Sequence, residues 1–244
     1  MDLDLVLGGL AVTAASFLGG VTGFGYSLVA TPLLLLTGYE LRFVVTVNLA
    51  LALVTRISVA VRFRRSAWPR RVALLIGGAI PGIWLGVQIL KTVDANDIKV
   101  AAGILTMVCA ALLARSVAAP PPRRAIPGAA AVAGFFGGFL GASTSLNGVA
   151  PVLLLARDKA SPRSFLADLA MYFVGANAIG LAVLAARHTL DADALSPAFL
   201  VWLPGSLIGN WLGTTLGPRL PEVGFRRLTL AIVFVAGGVT AISA

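Results

Sequence analysis

The feature that most constrains this chain is a set of long apolar runs with no charge in them. Residues 72–90, 125–156 and 194–218 contain no Asp, Glu, Lys or Arg. A run of roughly 18 or more apolar residues is enough to cross a bilayer as a helix. Several such runs in 244 residues leave no soluble arrangement that could bury them. Charged residues make up only 12% of the chain, about half the share of a soluble domain, and the mean hydropathy is +0.94. The expected fold class is an all-α polytopic membrane protein.

The first residues, Met1-Asp2-Leu3-Asp4, are acidic where a cleavable signal peptide would be basic, so the first apolar segment is expected to persist. The single cysteine, Cys109, lies among Met107, Val108 and Ala110 and reads as a small buried hydrophobe. The net charge of +9 does not indicate nucleic acid. The basic residues fall in loops between spans, the pattern of a topology signal.

The chain repeats itself. Gly82-Ile83-Trp84-Leu85-Gly86 matches Gly209-Asn210-Trp211-Leu212-Gly213. Upstream, Gly20-Val21-Thr22-Gly23-Phe24-Gly25 precedes Pro32-Leu33-Leu34-Leu35, and Gly138-Phe139-Leu140-Gly141-Ala142-Ser143 precedes Pro151-Val152-Leu153-Leu154. Two matches in one order divide a single transmembrane domain, 1–244, into repeat one (1–117), a proline-rich linker (118–124) and repeat two (125–244).

Each repeat opens with a glycine-interrupted apolar stretch, residues 3–37 and 125–156, too long for one span and short for two with a turn. Each is either one broken span or a hairpin of two short helices. Charge decides between them. If both are hairpins returning to their own side, the cytoplasmic loops hold 14 basic residues, and only Arg42, Lys91, Lys99 and Arg187 lie outside. If each crosses once, the same loops divide nine against nine. The positive-inside rule favours hairpins. Each repeat is then a glycine-broken hairpin plus three transmembrane helices, and the two insert with opposite orientation, the inverted-topology plan of many secondary transporters.

Candidate site residues follow from what is costly in lipid. Irregular backbone at membrane depth is tolerated where protein or a water-filled cavity covers it. Gly19, Gly20, Gly23 and Gly25, and Gly137, Gly138 and Gly141, can supply such breaks. The short helices that follow would offer N-terminal N–H groups to an anion. Tyr26, Ser27 and Thr31 follow the first break; Ser143, Thr144, Ser145 and Asn147 follow the second. Close helix packing is the competing role for the glycines.

Arg56 is the basic residue placed inside a span, and its fork suits oxyanions; its alternative is to snorkel toward Arg62. Asn177 is its approximate repeat counterpart, and Asn48 and Tyr172 are further polar groups in those spans. Asp168, an acidic residue within a span, reads as the partner of a loop arginine or as a proton-coupling group. Trp84 and Trp211 read as packing residues, and Pro81 and Pro204 as sources of helix kinks. No nucleophile–base pair, metal-ligand cluster or phosphate loop is evident, so neither an enzyme, a metal site nor a cofactor is expected.

These motifs resemble the TauE/SafE family of sulfite exporters over essentially the whole chain. The carriers are the Gly20–Gly25 segment leading to Thr31-Pro32-Leu33-Leu34, its degenerate copy ending at Pro151-Val152-Leu153-Leu154, and the paired Gly-x-Trp-Leu-Gly segments. The resemblance implies a multi-pass transporter of the plasma (inner) membrane that carries small sulfur-containing anions such as sulfite or sulfonates. Ser143, Thr144, Ser145 and Asn147 stand where such proteins often have glycine. The expected ligand-contacting set is Gly23, Gly25, Tyr26, Ser27, Asn48, Arg56, Ser143, Thr144, Ser145, Asn147, Tyr172 and Asn177. The expected partners are a small anion and the lipid bilayer, with no nucleic acid. A homodimer is compatible with the sequence, because lipid-facing and partner-facing apolar surfaces read alike. The alternative function is an anion channel lined by paired half-helices.

Overall fold

In the computed structural model, the described residues are 3–94, 96–98, 100, 101, 104, 107, 108, 111, 126–216, 235 and 238. Among them there is no strand. The main helices are α1 (Leu3–Thr22), α2 (Tyr26–Leu36), α3 (Leu41–Phe63), α4 (Pro69–Thr92), α5 (Ala129–Thr144), α6 (Val149–Arg157), α7 (Pro162–Ala186) and α8 (Ala198–Leu216). Four of the segments, Leu3–Thr22, Leu41–Ser66, Pro69–Thr92 and Pro162–Ala186, are long and apolar enough to cross a membrane. The third full span expected in each repeat, the linker and Cys109 lie largely or wholly outside the described residues.

Helix starts follow local chemistry. Pro69 and Pro162 open α4 and α7, where a missing N–H costs nothing. The Ser161 side chain accepts a hydrogen bond from the Ser164 N–H and caps α7. The two glycine-interrupted stretches each form a long helix, a tight break and a short helix. At 20 residues, α1 is about 30 Å long, whereas the 11 residues of α2 reach only about 16 Å. The second pair has 16 and 9 residues. The expected hairpins of two short helices are thus unequal: the first arm approaches span length and the second returns partway.

The glycines divide by role. Gly23 (φ 86°) supplies the left-handed turn of the first break. Gly19, Gly20, Gly137, Gly138 and Gly141, expected as breaks, lie within α1 and α5. In half two the break falls at residues 145–148, with Ser145 itself at φ 62°. The helical glycines are contact points. A Cβ on Gly78, Gly82 or Gly86 of α4 would strike the backbone of Ala131, Phe135 or Phe139 on α5. On α8, one on Gly209 or Gly213 would strike the backbone of Thr13 or Phe17 on α1, and one on Gly205 the Thr13 side chain. The duplicated Gly-x-Trp-Leu-Gly motif is therefore a close-packing face, as small-xxx-small patterns are between membrane helices.

The order of these contacts gives helix directions. Contacts rise together along α4 and α5, and along α1 and α8, so each pair is parallel. Bonds join α4 to α7 at both ends: Arg71 to Asp168 at their starts, and Lys91 and Gln88 to Arg187 at their ends. These helices are parallel as well. Between α3 and α7 the order reverses, with Arg56 over Phe173 and Leu49 beside Gly180. The helices α1, α3 and α8 run one way, and α4, α5 and α7 the other.

Leu10, Leu74, Ile80, Phe136, Leu200 and Ile208 are exposed around the outside, a surface suited to lipid. Trp84 and Trp211, expected as packing residues, are also exposed there, at 53% and 64%. Glycine makes the helix contact, and the tryptophan beside it in the motif points away. The chain is an integral membrane protein.

Candidate functional site

The interior polar groups gather where the two breaks meet α3 and α7. From α2, the Tyr26 hydroxyl donates to Asn48 Oδ1 on α3 at 2.9 Å. The Asn48 amide donates to Thr31 Oγ1 and to Ser145 Oγ, each at 3.1 Å. Thr31 and Ser145 share a hydrogen bond of 2.7 Å. One buried network thereby joins the short helix of the first hairpin, the tip of the second and α3. Nearby, the Asn147 amide donates to Asn177 Oδ1 on α7. The Tyr172 hydroxyl and Asn177 Nδ2 are buried without partners, and a Cβ on Gly137 would strike that hydroxyl. A void of about 10 Å³ lies among Leu49, Ile83, Gly138, Asn147 and Asn177, room for roughly one water.

Arg56 does not snorkel. It is 3% exposed. Its Nη2 donates to the Gly19 carbonyl at 3.0 Å, and the guanidinium sits 5.8 Å from the centroid of the Phe173 ring. Gly19 makes this possible: a Cβ there would lie 2.9 Å from Arg56 Nη2 and 2.7 Å from Tyr26 Cβ. No carboxylate among the described residues pairs with Arg56. A buried charge normally does pair, because leaving water is expensive.

Asp168 resolves differently. It is fully buried and accepts from the Trp68 N–H and Arg71 Nε, both at 2.7 Å, and from Arg71 Nη2 in an ion pair. Arg71 also donates to Ser164 and lies 5.0 Å from the Trp68 ring centroid. The partner of Asp168 is an arginine as expected, but Arg71 lies in the first turn of α4 rather than in a loop.

The remaining expected residues separate. Ser143 and Thr144 donate their hydroxyls to the carbonyls of Phe139 and Leu140, one turn back on α5. Those donors are engaged by their own helix. Gly25 donates its N–H to Thr22 Oγ1, and Ser27 is buried in the first turn of α2. The α6 N-terminus carries Gly148 as N-cap, with no side-chain cap.

The profile described as Sulfite exporter TauE/SafE matches residues 8–240. The chain belongs to the TauE/SafE sulfite exporter family. No curated protein and no solved structure matches it. As a TauE/SafE protein it is a membrane transporter, consistent with the apolar helices and the lipid-facing surface.

In this TauE/SafE chain, sequence reasoning passed over one polar cluster. Ser16 on α1 and Ser206 and Asn210 on α8 are buried, and Ser16 Oγ, Ser206 Oγ and Asn210 Oδ1 have no hydrogen-bond partner. Asn210 Nδ2 donates to the carbonyl of Thr55, the residue before Arg56. The available signal was a lone amide, Asn210, within an uncharged run, in the position that Ile83 holds in the other Gly-x-Trp-Leu-Gly copy.

Proposed function

We propose that the chain exports a small sulfur-containing anion, sulfite or a sulfonate, across the plasma membrane by alternating access, with Arg56 as the charge that receives it. The observation carrying this reading is a guanidinium buried in an apolar bundle with no carboxylate partner among the described residues. One anion neutralises it, and its fork offers parallel donors to two oxygens of an oxyanion. Tyr26, Asn48, Ser145, Asn147, Tyr172 and Asn177 complete the polar surroundings. Ser143 and Thr144 serve the turn instead, since their donors are occupied.

Export agrees with the charge inventory. Moving one negative charge out of a negative-inside cell gains about 2.3 kcal/mol per 100 mV. No coupling carboxylate is then needed, and Asp168 is already paired with Arg71. Arg56, Asn48, Ser145 and Asn177 are buried, which favours a carrier over a standing pore: an anion reaches them only when helices part. Inverted repeats would supply that motion. What supports them is the opposed direction of α1, α3 and α8 against α5, α7 and α4, taken in corresponding order.

The test is thermal stability of the purified protein in detergent against sulfite, sulfate, thiosulfate, sulfoacetate, taurine, chloride and phosphate. A ligand that binds only the folded state raises the melting temperature with its concentration. The reading expects a selective rise with a sulfur anion that is lost in Arg56→Gln. Folded protein that responds to none of them would sink it.

A further inference from the structure

Among the described residues Arg56 stands as one buried positive charge without a carboxylate partner, and that charge constrains the ligand. We propose that the site selects the monoanionic form of its substrate: hydrogensulfite over sulfite, and a sulfonate over sulfate. The proposal rests on the reading of Arg56 as the anion-binding charge and adds which protonation state it takes.

Gly19 of α1, Tyr26 of α2 and Phe173 of α7 lie beside Arg56. Asp168 of α7 is held by Arg71 of α4, and α8 has no ionisable side chain from Ala198 to Leu216. With the Arg71–Asp168 pair internally neutral, Arg56 is left as a single positive charge among the described residues. A monoanion cancels it. A dianion would replace an unpaired buried cation with an unpaired buried negative charge, at a similar desolvation cost.

The experiment titrates the full-length protein in detergent with inorganic sulfite, methanesulfonate and sulfate from about pH 6 to about pH 8.5, across the second ionisation of sulfurous acid. The expected result is an apparent affinity for total sulfite that falls about tenfold per pH unit above that ionisation, while methanesulfonate, a monoanion throughout, stays level and sulfate binds at least about tenfold more weakly. Sulfite binding that is level or strengthens with pH overturns the proposal. So does sulfate binding as tightly as methanesulfonate. A parallel fall for methanesulfonate assigns the pH dependence to the protein and also overturns it. Binding of none of the three at any pH removes the Arg56 reading itself, and this proposal with it.

Discussion

Replacing Asp168 by alanine tests whether the α4–α7 pairing is built as described. The carboxylate is fully buried and receives the Trp68 N–H and two nitrogens of Arg71, whose side chain is only 10% exposed. Asp168→Ala leaves a guanidinium and a backbone N–H without their partner in a nearly dry site. Breaking one member of such a pair costs about 3–5 kcal/mol. For a chain of this size each kcal/mol moves the melting temperature by about 2–4 °C, so a fall of about 6–20 °C is expected. Removing both partners is different: replacing a buried pair with apolar residues of similar volume is often neutral or stabilising. The double variant Arg71→Met/Asp168→Leu should therefore recover most of the loss. The assay is thermal unfolding in detergent, with size-exclusion chromatography to confirm a folded starting state. Asp168→Ala melting within about 2 °C of wild type would refute the reasoning, as would a double variant no better than the single.

Two further predictions follow from the packing and the polar network. Gly82→Leu places a side chain into the Phe135 backbone and should abolish folded protein in detergent, whereas Gly77→Ala, where a Cβ meets nothing within 4 Å, should raise stability by up to about 1 kcal/mol. Monodispersity and melting temperature distinguish the two. Ser145→Ala removes the bonds to Thr31 and Asn48 and leaves a Cβ-bearing residue at φ 62°; a loss of about 1–3 kcal/mol is expected in thermal unfolding.

Much of this was legible in the sequence, because lipid makes charge and backbone expensive. The uncharged run 72–90 marks α4, one of the four helices long enough to span, while 125–156 holds two shorter helices and 194–218 holds α8. What the sequence could not give was which side of a helix a residue faces. Gly82 and Trp84 are two residues apart in one motif, yet the first touches α5 and the second faces outward. In half two, Gly137, Gly138 and Gly141 looked like breaks because glycine serves both a turn and a close contact; only the position of α4 and the α5–α6 turn decides between them. Ser143 and Thr144 looked like ligand donors, but a hydroxyl in a helix can bond the carbonyl one turn back, and these do. Arg56 was ambiguous for a similar reason. Its stem is long enough to reach the surface, and the absence of a side chain at Gly19 is what lets it turn inward.

Anion efflux from proteoliposomes tests the central claim most directly. Vesicles loaded with sulfite and clamped at a negative interior potential would be followed for wild type and Arg56→Gln, with folding of both verified by chromatography and melting. Two charge-assisted hydrogen bonds are worth about 3–6 kcal/mol, so the account predicts potential-driven, saturable efflux from wild type and a loss of roughly 100-fold or more in Arg56→Gln. Efflux from folded Arg56→Gln within about twofold of wild type would contradict it.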